Sequence, residues 1–290
     1  MTKTSVQNVR NPLPASVKLA LGRLQWSLSE SSPMEYKSIT AMQQLREARA
    51  TAKDAATGGG GEGEVSPFDI EGMIALLTEN ATTSSKEVKY MAQIATSLLL
   101  LGHGYMDEAH DLVLSLSWRG DLPYAYGPPV NLEDDLVQTL ACYAHCLVHR
   151  KEGPYDSEFN MTGFQNSAYW AGNTMRNLDG VEALPLAEIR QGILELVDSE
   201  DAQQFVEKKM SGIFGEWDPR VLTELCREVV TASISNEKDE EEINHPMKEF
   251  AERAALMELR TILMFLLHKM GFDMSIDNET KEEEEEAHSK

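Results

Sequence analysis

The 290-residue sequence is short of four things, and each shortage removes a class of protein. It has three cysteines, Cys142, Cys146 and Cys226, with no Cys-x-x-Cys pair, so neither a disulfide framework nor a thiolate zinc site is expected. A reducing location follows, the cytoplasm first and the nucleus as an alternative. Cations are scarce: Lys and Arg number 26 against 48 Asp and Glu, a net charge of −22. Two acidic runs, Glu237 to Glu242 and Lys281 to Lys290, account for −7 of this, leaving −15 on the rest of the chain. Displacing counterions from a phosphate backbone needs clustered Lys and Arg, so no nucleic-acid partner is expected, and an anionic bilayer surface is disfavoured for the same reason. Apolar runs are short as well. Ile94 to Leu101 and Leu256 to Leu267 fall well below the roughly 20 residues that span a bilayer, and the N-terminus has no apolar stretch ending at a cleavage site, so neither membrane association nor a secretory signal is expected. Finally, no segment alternates apolar and polar residues convincingly, so strands are not predicted.

What the sequence has in quantity is the i, i+3, i+4 apolar recurrence of amphipathic helices. Helices are predicted near Ser16 to Leu28, Met34 to Lys53, Asp69 to Leu77, Lys86 to Leu101, Met106 to Leu116, Leu132 to Lys151, Phe164 to Met175, Leu186 to Leu196, Asp201 to Ser211, Pro219 to Ser233 and Pro246 to Met270. The fold class is all-α. Residues 1–53 read as an N-terminal helical extension packed on the body, 54–66 as a Gly-rich acidic linker, 67–272 as the helical domain, and 273–290 as an acidic disordered tail. Two stretches repeat one plan. Thr96 to Leu116 is an apolar helix ending at Gly102, a turn at Gly104, and a second helix with small Ala109 where the axes approach; Leu140 to Met175 does the same through Gly153-Pro154, with Ser167 and Ala168. Each resembles a helix-turn-helix unit of the tetratricopeptide kind, but the period is irregular. The predicted architecture is therefore a stack of antiparallel helical hairpins.

Chemistry concentrates in one segment, His145-Cys-Leu-Val-His149-Arg150-Lys151-Glu152-Gly153. On a helix, residues four and three apart share a face, so His145, His149 and Glu152 project together. Two imidazoles at this spacing can share a divalent metal, and the carboxylate can ligate it or act as a base. It is not HExxH, because Cys146 stands where the metalloprotease base would be. Asp107 and His110, three apart on the neighbouring hairpin, are the candidate further ligands. Arg150, Asn166, Tyr169 and Trp170, with Tyr143 one helix earlier, are the candidate walls of a pocket around the histidines, Asn166 also being a candidate N-cap. Other signatures are missing: no phosphate-binding glycine loop follows a strand, there is no Gly-x-Ser-x-Gly elbow, and Cys142 and Cys146 share a helix with the histidines at spacings that seldom give attack geometry.

The fragments Asp107 to His110, His145 to Gly153, Asn166 to Trp170 and Trp217 to Cys226 together resemble the signature of a family of all-helical proteins that carries D-x-x-H, H-x-x-x-H-R-x-E-G, N-[AS]-x-Y-W and W-D-P with a downstream L-C. Order and spacing agree over roughly residues 100–230. The chain departs from the pattern at Pro154 and in the insertion Tyr155 to Phe164. The family brings no assigned activity, so the resemblance implies a helical fold and a shared site without naming a reaction.

Two functional readings follow. In the first the chain is an intracellular helical scaffold or interaction protein, with a protein partner or a small-molecule ligand, and its histidines serve structure around a polar pocket. In the second it is a metal-dependent hydrolase or oxygenase acting on a small molecule. There His110, His145, His149 and Asp107 would be ligands of zinc or iron, and Glu152 a catalytic base. One geometric criterion separates them. If His110 meets His145 and His149 with ring nitrogens within about 4 Å of one point, the metal reading takes precedence, since zinc ligands lie near 2.0–2.1 Å from the ion.

Overall fold

Apolar residues recurring every three to four positions produce ten helices among the residues described by the structure, a computed structural model. It describes residues 10–29, 69–83, 85–118, 126, 130, 132, 135–155, 161–178, 184–210, 217–234 and 245–274. In chain order the helices are α1 (Ala15–Gly22), α2 (Ile70–Asn80), α3 (Val88–Gly102), α4 (Met106–Ser117), α5 (Asp135–Glu152), α6 (Gly163–Asn177), α7 (Leu186–Glu195), α8 (Glu200–Met210), α9 (Pro219–Ile234) and α10 (Lys248–Lys269). The chain is all-α, with one small exception. Strands β1 (Asn11–Pro12) and β2 (Phe272–Asp273) pair in parallel and join the two ends of the described chain. No helix is long and apolar enough to cross a membrane among the described residues. The helix predicted at Met34 to Lys53 and the linker at 54–66 lie outside them, as does the tail predicted over 273–290 except for its first two residues, of which Asp273 is ordered in β2.

Local chemistry sets the helix ends. Asp69 caps α2 by accepting from the Gly72 amide at 2.9 Å. For α6 the cap is not the predicted Asn166 but Thr162. Its hydroxyl accepts from Gln165 N at 3.2 Å while the Gln165 side chain accepts from Thr162 N at 2.8 Å, a reciprocal capping box that leaves Asn166 inside the first turns. Helix α1 stops earlier than expected because the chain turns away to bond the end of α3, Gln25 N donating to Gly102 O at 2.8 Å.

Consecutive helices from α2 to α6 pack as neighbours, and α9 and α10 then fold back, α9 onto α6 and α10 onto α3 and α9. The α3–α4 hairpin is fastened by two buried side chains: Ser97 Oγ donates to Ala109 O at 2.7 Å and Gln93 Nε2 to Leu112 O at 2.6 Å. At the α5–α6 turn, Gly153 takes a left-handed φ of 73°. A Cβ on Gly163 would stand 2.6 Å from His149 O, so only glycine lets α6 begin there. Residues 10–29 of the N-terminal extension pack on the body. Leu13, Val17, Leu24, Trp26 and Leu28 are buried in the same core as α3 and α10.

Helix α5 occupies the centre. Every residue from Val137 to Glu152 is buried, although the last two turns carry His145, His149, Arg150, Lys151 and Glu152. Buried charge must find partners, and two of these residues find theirs away from the histidines. Arg150, expected beside them, ion-pairs through Nη1 with Glu258 of α10, donates from Nε to Thr223 Oγ1 at 3.1 Å, and from Nη2 to Pro219 O at 3.0 Å. Glu258 also accepts from Tyr143 OH at 2.7 Å and Trp217 Nε1 at 3.1 Å. Tyr143, another expected pocket wall, thus belongs to this network as well. Burial lowers the affinity of Arg150 for its proton, but Glu258, through its charge and its hydrogen bond, together with the nearby Cys146 and Cys226, more than offsets this and keeps the guanidinium charged. Burial and then Glu258 push the Tyr143 phenol well above its ordinary value, so it stays a donor. Lys151 donates to Ser27 O at 2.6 Å and sits over the Trp26 ring.

Removing one partner of a buried ion pair leaves the other uncompensated, which costs about 3–5 kcal/mol. Arg150→Met is expected to lower stability by roughly that amount, and Arg150→Met with Glu258→Gln to recover much of it. Urea unfolding of the three proteins measures this, and equal midpoints for wild type and Arg150→Met would show that the pair contributes nothing.

Candidate metal centre

The face of α5 opposite Arg150 turns His145, His149 and Glu152 toward α4, which presents His110. One ring nitrogen from each of His110, His145 and His149 lies within 4.8 Å of the other two. Three points that close fit inside a circle of radius about 2.8 Å, so a common ligand point exists and the predicted convergence of the two hairpins is met. All three rings are buried, exposed by 4%, 1% and 4% respectively. His145 and His149 stack with centroids 4.8 Å apart, and His110 meets both edge-on, at 4.9 and 5.3 Å. Trp170 of α6 covers the other face of His145 at 4.1 Å and 19°.

The imidazoles are anchored individually. His149 Nδ1 is 2.8 Å from Glu152 Oε2, and His145 Nδ1 is 2.8 Å from Ser117 Oγ at the end of α4. Among the described residues, two buried atoms in this cluster have no hydrogen-bond partner: His145 Nε2 and Glu152 Oε1. Buried polar atoms are nearly always satisfied, so this pair marks the cluster as incomplete by itself. Burial holds His145 and His149 well below the ordinary imidazole value, helped in His145 by His149 and His110 and in His149 by His110. Both rings are therefore neutral, the form that binds metals. Burial, and then the charge of Asp107, raise Glu152 to about 8.

Of the other candidates, Asp107 does not join the set of converging ligand atoms and acts on Glu152 through its charge. The reason is its place on α4, one turn before His110 and only partly buried. Arg150 faces Glu258, as described. Tyr169 touches Trp170 edge-on at 5.3 Å but is 46% exposed, so it lies at the outer rim, together with Trp118, which is 40% exposed and 5.9 Å from Trp170. Asn166 is buried in α6. In the loop after α4, Tyr126 N and Val130 N bond the carbonyls of Asp111 and Ser115, so those described residues lie along α4. The cysteines stay out of the centre. Cys146 Sγ lies 3.3 Å from Ser167 Oγ on the Arg150 side, and burial pushes its thiol up, as it pushes Cys226 to about 12. Such thiols are poor nucleophiles. Sequence reasoning missed Ser117, which lies in an apolar helical run with no motif to single it out.

No family model, curated protein or solved structure matches the chain. The chemistry of the centre must therefore be argued from its own atoms. Three imidazoles form a borderline-soft nitrogen set that suits zinc, iron, copper or nickel and not magnesium or calcium. Tightening the nitrogens from about 2.8 Å to the 2.0–2.1 Å of a zinc bond asks less than about 1 Å of each ring. Three protein ligands leave a fourth position to water or a small molecule.

Glu152 gives the metal-free protein a distinctive pH response. The folded state holds its proton up to about pH 8, while the unfolded chain releases it near the ordinary value of 4.5. This contribution to stability is fully present below about pH 4.5 and is lost as pH rises through about 8. Glu152→Gln, which cannot ionise, should therefore melt several degrees above wild type at about pH 9 and show no such advantage at about pH 5. Thermal unfolding in the presence of a chelator checks this; a constant difference across the range would mean that Glu152 is not held neutral.

Proposed function

We propose that the protein is a metal-binding helical protein in which His110, His145 and His149 hold a divalent zinc or iron ion. The activity class we assign is metal-dependent hydrolase or oxygenase chemistry on a small molecule. The observation that carries this reading is the convergence of three buried rings from α4 and α5 onto one point, with His145 Nε2 lacking a partner among the described residues. A histidine network serving structure alone would satisfy that nitrogen. The strongly negative chain adds a field that draws a cation. Glu152 orients His149 from its far nitrogen, and on releasing its proton when a metal binds it would complete a carboxylate–histidine–metal arrangement that raises ligand basicity. The ordered motifs around Asp107, His145, Asn166 and Trp217 are, on this proposal, the mark of a family sharing this centre, and its place of work is the cytoplasm.

Protein purified without a polyhistidine tag should carry close to one zinc or iron per chain by elemental analysis, and His145→Ala or His149→Ala should lose it while remaining helical. If wild type reconstituted with either ion retains none after gel filtration, the reading fails and the histidines are a structural network in a helical interaction module.

A further inference from the structure

The surroundings of His145 restrict it in two ways that together choose the atom it offers. Its ring is sandwiched between His149, at 4.8 Å and 17°, and Trp170, at 4.1 Å and 19°. Rings on both faces fix the imidazole plane. The freedom that remains is a half-turn about the Cβ–Cγ bond, which exchanges the nitrogens with ring carbons, and the choice of which nitrogen carries the proton. Ser117 Oγ stands 2.8 Å from Nδ1 and is placed to decide both. The same hydroxyl lies 3.4 Å from Leu114 O, an acceptor only, so its proton is directed there and its oxygen is left to accept from His145 Nδ1–H. A neutral imidazole has one N–H, so Nε2 then carries a bare lone pair. The other tautomer would place an N–H at Nε2, where it would be a buried donor with no acceptor.

We infer that Ser117 is a positioning residue of the metal centre: by accepting from Nδ1–H it holds His145 in the Nδ1–H tautomer and aims the Nε2 lone pair at the point shared with His110 and His149. This rests on the metal reading above and extends it to a residue outside every motif in the chain. Glu152 holds the equivalent nitrogen of His149, so the two α5 ligands are anchored on the same ring atom by different groups, one from α4 and one from α5 itself. Ser117 thereby ties the state of the centre to the end of α4, whose next residue, Trp118, rests against Trp170. Outer partners of histidine ligands are typically worth 10- to 100-fold in metal affinity.

The test uses the full chain and zinc alone. Competition against a chromophoric chelator should show affinity reduced about 10- to 100-fold in Ser117→Ala and restored toward wild type in Ser117→Thr, which keeps the hydroxyl. In parallel, nitrogen NMR of the metal-free histidines reads the tautomer directly. His145 should be Nδ1–H in wild type and Ser117→Thr, and should shift toward the Nε2–H form or a mixture in Ser117→Ala. A structural role for Ser117 would change melting without changing the tautomer. If wild type binds zinc and Ser117→Ala binds it as tightly, or if His145 is Nε2–H in wild type, this inference is overturned while the metal centre stands. If wild type binds no zinc or iron, the centre and its positioning residue fall together.

Discussion

The buried ion pair between Arg150 and Glu258 is the constraint around which the rest of the fold is arranged. A guanidinium with no exposed surface is tolerable only where several acceptors surround it, and the acceptors here come from α9 and α10. Satisfying one side chain of α5 therefore fixes where two later helices sit. Tyr143 and Trp217 complete the shell by donating to the same carboxylate, so the pairing also sets the depth at which the Trp217 indole is buried. Packing supplies the gross stabilisation of such a fold. The polar network supplies geometry, because hydrogen bonds to a buried charge have direction and apolar contacts do not.

Helix α5 separates two kinds of chemistry by angle. Residues 145, 149 and 152 recur on one arc, and 143, 146 and 150 on another whose centre lies roughly 125° away, as a helix advancing about 100° per residue requires. The first arc faces α4 and is neutral and under-satisfied; the second faces α9 and α10 and is charged and fully bonded. The ordered motifs divide along the same line. In His145 to Gly153 the histidines and Glu152 serve the centre and Arg150 the network. In Asn166 to Trp170, Ser167 bonds Thr223 while Trp170 covers His145. One stretch of sequence thus carries both the histidine cluster and the support that holds its helix in place.

The helices were legible in the sequence because periodicity is local: nine of the predicted segments coincide closely with α2 to α10, and α1 is shorter than its prediction. The pairing of His145, His149 and Glu152 was legible for the same reason, since all three lie within two turns. The approach of His110 required only that adjacent hairpins be neighbours. What local spacing does not carry is partnership at a distance. Nothing near Arg150 shows that its counter-ion is Glu258, 108 residues on, and so it was placed with the nearer histidines. Ser117 was invisible because a serine in an apolar helix has many uses and only its neighbour in space reveals which one applies. The Thr162–Gln165 capping box is different: its spacing is a local signal, and the polar Asn166 beside it drew the assignment instead.

The position of α5 in the chain has a consequence for how the protein comes into being. It is the fifth of ten described helices, yet it lies at the centre, and the carboxylate that neutralises Arg150 comes from the tenth. During synthesis from the N-terminus, α2 to α6 can pair as hairpins as they emerge, because each neighbour is already made. The inner helix must nevertheless keep Arg150 in water until residue 258 has been added. The nascent chain is thus held open along the arc that α9 and α10 will cover, and burial of that arc comes as a late, concerted step. An internal charge that costs the finished protein little acts during growth as a latch on the order of assembly.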